Sequence, residues 1–252
     1  MRELSYAGLV RFLFVMDPFE GMLPDKDTSF AFMRAALARG HEVLHCELSQ
    51  ISNQGKRVRA RVRPLWVSDK PPHVTAGEPQ RVLVEELDAV FIRKDPPFNR
   101  AYLYLTHQLD LVKDRTLVLN DPAALRDANE KLYAFHFAEY MPPSLVSSNE
   151  RELIDFVHEV GGRAVIKPLD GAGGSGVAAL SVGDLNLKPL VGLLTREGKQ
   201  LALVQEFQPT VFKGDKRVLL LDGELLGAIR RVPVAGDLRA NIHVGGRVEA
   251  TD

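Results

Sequence analysis

Hydrophobic and polar positions along the first half of the chain alternate between patterns typical of β-strands and patterns typical of α-helices. The segment Leu9–Met16 is apolar except for Arg11, as expected of a parallel strand that is covered on both faces. A polar loop follows, and Asp27 can cap a helix whose apolar residues recur at helical spacing until Gly40. The pattern then repeats, with strands predicted at Val43–Leu48, Ala89–Arg93 and Thr116–Leu119 and a helix capped by Asn99.

This strand–helix rhythm predicts an α/β fold, with a doubly wound parallel sheet in an N-terminal domain of residues 1–124. The intervening stretch Gln54–Pro79 is rich in Arg and Pro, and it predicts a hairpin plus a loop. Ligands of such sheets bind beyond the carboxyl ends of the strands. Asp27, Ser29 and Arg93 lie at or after predicted strand ends, so they are candidate ligand contacts.

The pattern changes in residues 125–252, which predict a second, α+β domain. Asn129–Ala138 is predicted to be helical, and Asn149 and Glu152 form a capping pair for another helix. The dipeptide Asp222-Gly223 suits the type I′ turn of a hairpin. Strands are predicted at Ala164–Lys167, Val177–Val182, Leu201–Glu206, Arg217–Leu221 and Leu225–Arg231.

Composition narrows the class of protein. The chain has 252 residues and 45% hydrophobic content, which is ample for two domains, and its formal net charge of -1 argues against a general nucleic-acid binder. No apolar run is long enough to cross a bilayer, so no membrane association is expected. The single cysteine, Cys46, excludes a disulfide within the chain, makes the cytoplasm the expected compartment and is predicted to be a core strand residue.

The glycine-rich segment Lys167–Gly176 is the most informative stretch. Gly171, Gly173 and Gly176 spell G-x-G-x-x-G, but a dinucleotide-binding fingerprint requires a helix to begin there, and Val177–Val182 predicts a strand. The segment is not a P-loop either, because no Gly-Lys-Ser/Thr is present. Two interpretations remain: a nest of inward-pointing N–H groups that binds a phosphate together with the preceding lysine, or an ordinary hairpin loop.

Cations gather in the same predicted domain. Each arginine taken alone fits a solvated surface charge, whereas the whole set favours a polyanionic ligand. A second glycine-rich segment, Asn241–Arg247, is reached through Pro233–Asp237 and is predicted to be a mobile lid that excludes water from a reactive intermediate. The cations are Lys131, Lys167, Arg217, Arg230, Arg231, Arg239 and Arg247.

Several longer motifs resemble those of bacterial glutathione synthetases, which belong to the ATP-grasp superfamily. The motifs follow the family order over nearly the whole chain, and Arg93–Phe98 and Asn129–Leu132 are specific to the family, whereas the glycine-rich loop is typical of ATP-grasp enzymes in general. The matching stretches are Val15–Pro18, Asp25–Phe30, Arg93–Phe98, Leu125–Leu132, Lys167–Gly174, Gly214–Val218, Arg239–Asn241 and Gly245–Arg247.

The resemblance implies a pre-ATP-grasp, substrate-binding domain at 1–124 and an incomplete ATP-grasp domain at 125–252. It also implies that ATP activates γ-glutamylcysteine as an acyl phosphate, which glycine converts to glutathione with release of ADP and phosphate. Positioning and charge stabilisation should carry most of this catalysis, because several anionic groups meet in one site. The implied partners are these small molecules, with no nucleic acid and no membrane.

The resemblance assigns roles to individual residues. Arg217 and Arg231 are expected to stabilise the transferred phosphoryl group as catalytic residues. The expected ATP-binding residues are Lys131, Lys167, Gly171, Gly173, Gly174, Ser175, Gln205, Glu206, Phe207 and Asp215, of which Gln205–Phe207 would hold adenine largely through backbone groups. The expected substrate-binding residues are Asp27, Ser29, Arg93, Arg239, Asn241 and Arg247.

The chain departs from the family pattern in two places. The lid sequence Val232–Leu238 differs in detail. Family members also continue past the Gly-Gly-Arg with a helix and two strands, whose Asp, Glu and Asn bind Mg²⁺, and no such segment follows in this sequence. We therefore expect no metal ligands in this chain, little activity from it alone, and a homo-oligomer when the protein is full length. Another ATP-grasp amino-acid or peptide ligase and a non-catalytic ATP-binding remnant stay as alternative functions.

Overall fold

The chain forms two compact units in a computed structural model that describes residues 8–241 and 245–251. The first unit ends at Ala128, and the second begins at Asn129. No helix in the described ranges is long and apolar enough to cross a membrane.

The first unit is a mixed α/β sheet structure. Its strands are β1 (Arg11–Val15), β2 (Glu42–Cys46), β3 (Ile51–Gln54), β4 (Arg57–Val67), β5 (Val74–Ala76), β6 (Gln80–Leu83), β7 (Ala89–Ile92) and β8 (Leu117–Leu119). Its α-helices are α1 (Thr28–Leu37), α2 (Arg100–Asp110) and α3 (Pro122–Asp127), and short 3-10 turns cover Phe19–Gly21, Leu48–Gln50 and Val84–Glu86.

The centre of this unit has the predicted doubly wound arrangement. Strands β2, β1, β7 and β8 are adjacent and parallel. Alternate residues of β1 enter two separate cores, with Leu13 and Val15 packed in the core that includes α2 and Phe14 in the core that includes α1. Helices therefore cover both faces of the sheet, which explains the nearly continuous apolar sequence of β1. Cys46 is fully buried at the end of β2, as predicted.

The hairpin and loop predicted for Gln54–Pro79 were wrong in extent. The segment contains the eleven-residue strand β4, which pairs antiparallel with β2, β3, β5 and β6 and extends the parallel sheet sideways. Val58, Ala60 and Val62 are buried, whereas the arginines between them are exposed. This period of two is the signal of a half-buried strand, and the high Arg content obscured it.

The second unit contains two antiparallel sheets among the described residues. Its strands are β9 (Ser144–Ser147), β10 (Arg163–Pro168), β11 (Ala178–Ser181), β12 (Ala202–Glu206), β13 (Asp215–Leu221), β14 (Glu224–Val232) and β15 (Arg247–Ala250). Its α-helices are α4 (Glu150–Glu159) and α5 (Leu187–Thr195), and 3-10 turns cover Tyr133–Tyr140 and Pro209–Lys213. One sheet has the strand order β11-β10-β12-β9 and packs against both α-helices, and the other has the order β13-β14-β15.

Two local predictions in this unit need correction. Asn129–Ala138 is not a regular helix: the Asn129 side chain accepts from the amides of Lys131 and Leu132, and a 3-10 turn follows with a break at Phe137. Asn side chains compete with helical hydrogen bonds in this way. Asn149 caps α4 as predicted, but the Glu152 carboxylate accepts from the Ser147 hydroxyl and does not close the capping pair.

The hairpin turn at Asp222-Gly223 is confirmed. Both residues have positive φ, 51° and 82°, which is the conformation of a type I′ turn. The turn joins β13 to β14, and an irregularity at Leu219/Leu220 shifts the register of the ladder beyond it. The shifted register places Asp215 opposite Arg231.

A candidate nucleotide site in the second unit

The glycine-rich segment joins two antiparallel strands. Strand β10 ends at Pro168 and β11 begins at Ala178, so no helix follows the loop and the dinucleotide-binding interpretation is excluded. Gly173, Gly174 and Gly176 have φ values of 62°, 83° and 71°, which side chains other than glycine rarely adopt. The glycines therefore shape a loop that turns back over the end of β10.

Lys131 holds the beginning of this loop. Its Nζ donates to the carbonyl oxygens of Gly171 at 2.7 Å and Leu169 at 3.1 Å, and it forms an ion pair with Glu130 at 2.6 Å. The side chain is only 14% exposed. The lysine predicted on the phosphate side of the site is thus bound to the loop that was predicted to close over the phosphates.

A cavity of about 270 Å³ opens beside β10 and β12. Its walls combine one apolar side, formed by the buried Phe207 and the half-buried Val165 and Val177, with polar groups from the loop and from the segment before β15. The sequence-predicted residues that line it are Lys167, Gly174, Gln205, Glu206, Phe207, Asp215, Arg239 and Asn241. Lys131, Gly171, Gly173, Ser175, Arg217, Arg231 and Arg247 do not line it.

Lys167 and Arg239 are the two cations among the described residues that line this cavity. The Lys167 Nζ atom donates to the Gln205 Oε1 atom at 2.8 Å. Burial lowers the pKa of this ammonium group, and the nearby positive charge of Lys131 lowers it further. An anion bound in the cavity would oppose both effects, because its negative charge favours the protonated lysine.

The loop and the segment before β15 approach each other at Gly174. A Cβ atom on Gly174 would lie 2.8 Å from the Asn241 Oδ1 atom and 3.1 Å from the Arg239 side chain. Asp237 holds Arg239 in this position: its carboxylate accepts from the Arg239 Nε, Nη2 and backbone N–H groups, and these bonds lower its pKa to about 2. Residues 242–244 of the predicted lid lie outside the described residues.

Asp215 and Arg231 form a bidentate ion pair across β13 and β14. The Nε and Nη2 atoms of Arg231 donate to the two carboxylate oxygens at 2.6 and 2.8 Å. Asp215 lines the cavity and Arg231 does not, so within the described residues Arg231 is connected to the cavity only by its ion pair with Asp215. Arg217 and Arg247 are exposed on β13 and β15. The structure therefore brings Arg231 close to the site and leaves Arg217 outside the cavity wall.

The segment predicted to hold adenine ends β12. The backbone amide of Glu206 donates to the Pro143 carbonyl at 2.9 Å, and that of Phe207 donates to the Arg163 carbonyl at 3.2 Å. The Arg163 guanidinium lies 4.3 Å above the centre of the Phe207 ring, which fixes this wall. Both amides are thus engaged within the unit, so backbone recognition of a base there would use their carbonyl groups.

The predicted substrate residues of the first unit meet at the carboxyl ends of β1 and β7. The Nε atom of Arg93 donates to the Ser29 hydroxyl at 3.0 Å, and the Asp27 carboxylate caps α1 by accepting from the Ser29 amide at 2.7 Å. Beside them Lys94 forms an ion pair with Asp17 at 2.8 Å. This cluster belongs to the first unit alone.

Sequence reasoning missed two residues of the second site. Ser144 on β9 accepts a hydrogen bond from Gln205, and Asp237 positions Arg239. A sequence signal for Asp237 was available, because an Asp side chain in a turn commonly accepts a hydrogen bond from the backbone amide two residues later, here that of Arg239. Ser144 had no local signal, since its partner lies 61 residues away.

The donor set suits a phosphate ligand better than a metal. Lys131 and Lys167 supply two neighbouring ammonium groups, and Lys131 is hydrogen-bonded to the glycine-rich loop. In the described part of the chain, no group of three or more His, Cys, Asp or Glu side chains is arranged to hold a metal ion.

Comparison with known structures defines the class of the fold. The D-cycloserine synthetase DcsG superposes with a TM-score of 0.64 at 15% identity, covering 96% of this chain and 75% of that one. A RimK-domain ATP-grasp protein of Sphaerobacter thermophilus has a TM-score of 0.56 at 18% identity, covering 90% and 76% of the respective chains. Residues 130–252 match the model of the prokaryotic glutathione synthetase ATP-grasp domain. The protein is an ATP-grasp ligase.

Sequence comparison then identifies the family. Residues 10–126 match the N-terminal domain of prokaryotic glutathione synthetase. The glutathione synthetase of Synechococcus elongatus is 42% identical, covering 96% of this chain and 78% of that protein, and that of Gloeobacter violaceus is 41% identical, covering 96% and 76%. The chain belongs to the prokaryotic glutathione synthetase family of ATP-dependent ligases, which use ATP and a divalent metal ion.

Proposed function

We propose that this chain ligates glycine to γ-glutamylcysteine at the expense of ATP. A carboxylate oxygen of the dipeptide attacks the γ-phosphorus of ATP, and ADP leaves. The amine of glycine then attacks the acyl carbon and loses a proton, and inorganic phosphate leaves as the C–O bond breaks. Family membership and the cationic cavity of the second unit support this proposal.

The observation that carries the proposal is the environment of Lys167. Its ammonium group lies at a cavity wall, is desolvated, and has an uncharged hydrogen-bond partner. A phosphate oxygen would supply the missing negative charge. We assign Lys167 to the ATP phosphates, and Lys131 to holding Gly171 and the rest of the loop, including Gly173, Gly174 and Ser175, over them.

The remaining residues receive their roles by position. Arg239 and Asn241 would bind the substrate that enters beneath Gly174, and Arg231 would turn from Asp215 towards the transferred phosphoryl group. Arg217 and Arg247 keep the roles implied by the resemblance, which require movement towards the cavity. In the first unit, Arg93 and Ser29 would bind γ-glutamylcysteine through its carboxylate groups, and Asp27 would hold Ser29 in place by capping α1.

Three further parts of the proposal concern the setting of the reaction. We take the divalent ion to be Mg²⁺, but the described residues bring no acidic group together for it, so no step above passes through a metal. A free, buried thiol at Cys46 and the use of ATP suit the cytoplasm. The homo-oligomer implied by the family resemblance also stays part of the proposal.

Calorimetric titration with ATP tests the nucleotide site directly. We expect Lys167→Met to weaken ATP binding about 100-fold, because removal of one partner of a desolvated charge pair costs about 2–5 kcal/mol. Lys188→Met, on the exposed surface of α5, is the matched control and should bind ATP like the wild type. Equal affinities for all three proteins would refute the site.

The substrate is tested by ADP release with γ-glutamylcysteine plus glycine, compared with D-alanine. Turnover with γ-glutamylcysteine supports the proposed reaction, whereas turnover with D-alanine alone would assign another ATP-grasp ligase activity. ATP binding without ADP release in the protein as it occurs in its cell would assign the non-catalytic function.

A further inference from the structure

The side chains of Lys167, Gln205 and Ser144 form a hydrogen-bonded chain. The Lys167 Nζ donates to Gln205 Oε1 at 2.8 Å, the Gln205 Nε2 donates to the Ser144 Oγ at 2.8 Å, and the Ser144 hydroxyl donates to the Pro142 carbonyl at 2.7 Å. The register of the sheet sets this up, because Gln205 on β12 lies opposite Ser144 on β9 and opposite Val165 on β10, two residues before Lys167. All three side chains thus share one face of the sheet.

The direction of every bond in this chain is determined by chemistry. An ammonium group only donates, so the carbonyl end of the Gln205 amide must face Lys167. The amide NH₂ end then faces Ser144, whose oxygen accepts and whose proton goes to Pro142. A backbone carbonyl of Pro142 ends the chain as a pure acceptor. Bonds aligned in one direction polarise one another and hold their members in a single arrangement.

An amide at position 205 positions the ammonium group without cancelling its charge. The charged groups nearest the cavity on neighbouring segments are Lys131, Glu206, Asp215 and Arg239, and no carboxylate of the described residues is hydrogen-bonded to Lys167. A carboxylate at position 205 would hold the lysine equally well in space. It would also neutralise the charge that an incoming phosphate needs.

We propose that Gln205 and Ser144 are positioning residues for the ligase reaction, which orient the Lys167 ammonium group into the cavity for the phosphates of ATP and keep its charge available to them. The inference rests on the proposed function of Lys167. The side chain of Gln205 would then act on Lys167, independently of any contact between its backbone and adenine. Ser144 becomes an additional residue of the site.

Two substitutions at position 205 should have opposite signatures in pH. Gln205→Leu removes the acceptor, so Lys167 should lose its proton at lower pH than in the wild type, whereas the carboxylate of Gln205→Glu should keep it protonated to higher pH. Both should weaken ATP binding at pH 7.5, by about tenfold or more, for different reasons: a misplaced ammonium group in one and a neutralised one in the other.

The measurement is the ATP dissociation constant by calorimetry between pH 7 and pH 10.5 for wild type, Gln205→Glu and Gln205→Leu. The proposal expects the alkaline loss of affinity to occur at highest pH in Gln205→Glu and at lowest pH in Gln205→Leu. The same pH midpoint in all three proteins would overturn it. Lys131 is the same in all three proteins, so it cannot produce the ordering.

Ser144 provides an independent arm that stays informative if a Gln205 variant does not fold. Ser144→Ala should weaken ATP binding about three- to tenfold, the worth of one neutral hydrogen bond, and Ser144→Thr should restore it. Ser147→Ala is the matched control on the same strand, since the Ser147 hydroxyl bonds to Glu152 and not to Gln205. Equal losses in Ser144→Ala and Ser147→Ala would refute the positioning role.

Failure of this inference is distinguishable from failure of the proposed function. If Lys167→Met binds ATP as well as the wild type does, the nucleotide site itself is wrong. If Lys167→Met weakens binding but the Gln205 and Ser144 variants do not, Lys167 binds the phosphates without this hydrogen-bonded chain, and only the positioning role is lost.

Discussion

Lys94 of the first unit and Lys167 of the second unit both lie at or just after a strand end, but only Lys94 has a charged partner among the described residues. In the first unit Lys94 follows β7 and forms an ion pair with the Asp17 carboxylate, which also accepts from the Asp95 amide. In the second unit Lys167 lies near the end of β10 and bonds to an uncharged amide. The positive charge of Lys94 is compensated by a carboxylate of the protein, whereas the desolvated Lys167 ammonium group is bonded, in the part of the chain that the structure describes, only to a neutral group. A lysine of the second kind lowers stability unless a ligand supplies the anion.

The other cations of the second unit sharpen this contrast. Lys131, Arg231 and Arg239 each have a carboxylate partner, in Glu130, Asp215 and Asp237 respectively. The neighbouring carboxylates compensate these positive charges. The three side chains could therefore bind an anionic ligand only if their ion pairs opened. Lys167 needs no such rearrangement, and for that reason the proposed nucleotide site depends on it most.

After the loss of Lys167 itself, the largest effect is expected from adding a side chain at Gly174. Gly174→Ala places a Cβ atom 2.8 Å from the Asn241 Oδ1 atom in a backbone conformation with φ of 83° that disfavours alanine. We expect ATP binding to weaken by more than about tenfold, because the loop must move away from Arg239 and Asn241. Calorimetric titration with ATP is the measurement.

Gly173→Ala is the matched control for that change. Gly173 also has positive φ, 62°, but a Cβ atom there meets nothing within 4 Å. It should share the backbone strain, about 1 kcal/mol, and retain most of the ATP affinity. If both alanine variants lose affinity equally, backbone strain explains the loss, and the approach of the loop to Asn241 has no part in it.

The sequence identified several residues that line the cavity of the second unit, but it did not predict how they are paired. Lys167 and the glycines were recognisable because a strand, a glycine loop and a second strand are contiguous. The partner of Arg231 was not recognisable, because it depends on a register shift. A regular ladder from the Asp222-Gly223 turn would pair Asp215 with Arg230, and the irregularity at Leu219/Leu220 moves the pairing to Arg231.

The same limit applied to the first unit and to Ser144. The parallel strands were predictable because strands buried on both faces are apolar throughout, as in β1. Strand β4 was missed because its solvent face is arginine-rich. Ser144 was missed because nothing in a four-residue strand reveals which distant side chain lies opposite; only the assembled sheet places it beside Gln205.

A smaller effect is expected from breaking the completed pair of the first unit. Lys94→Met, Asp17→Asn and the double variant form a cycle whose coupling energy we expect to be about 0.5–1 kcal/mol, because Lys94 is 20% and Asp17 41% exposed. Denaturant unfolding followed by the fluorescence of Trp66, the only tryptophan, reports on this unit.

The exposed pair Arg34–Asp69 is the control for that cycle. Its atoms are 2.7 Å apart, but the side chains are 54% and 70% exposed. Solvent screening should reduce its coupling to nearly zero. Equal coupling energies for the two pairs would show that the Lys94–Asp17 ion pair contributes no more to stability than an ordinary surface ion pair. The contrast with Lys167 would then weaken.

The smallest expected effect concerns His45, which lies behind Asp17. The His45 side chain is buried, its Nε2 atom donates to the Asp17 carbonyl at 3.1 Å, and burial lowers its pKa below the usual 6.5. The unfolded chain therefore takes up this proton first as pH falls, so the stability of the first unit should fall from about pH 6.5 downward through the lowered pKa. His45→Gln keeps a donor for Asp17 but does not titrate, so its Trp66-monitored stability should fall less between pH 7.5 and pH 5.5 than that of the wild type. If stability fell equally with pH in both proteins, His45 would bind its proton equally well in the folded and unfolded chains. The polar groups around Asp17 and Lys94 would then be open to water.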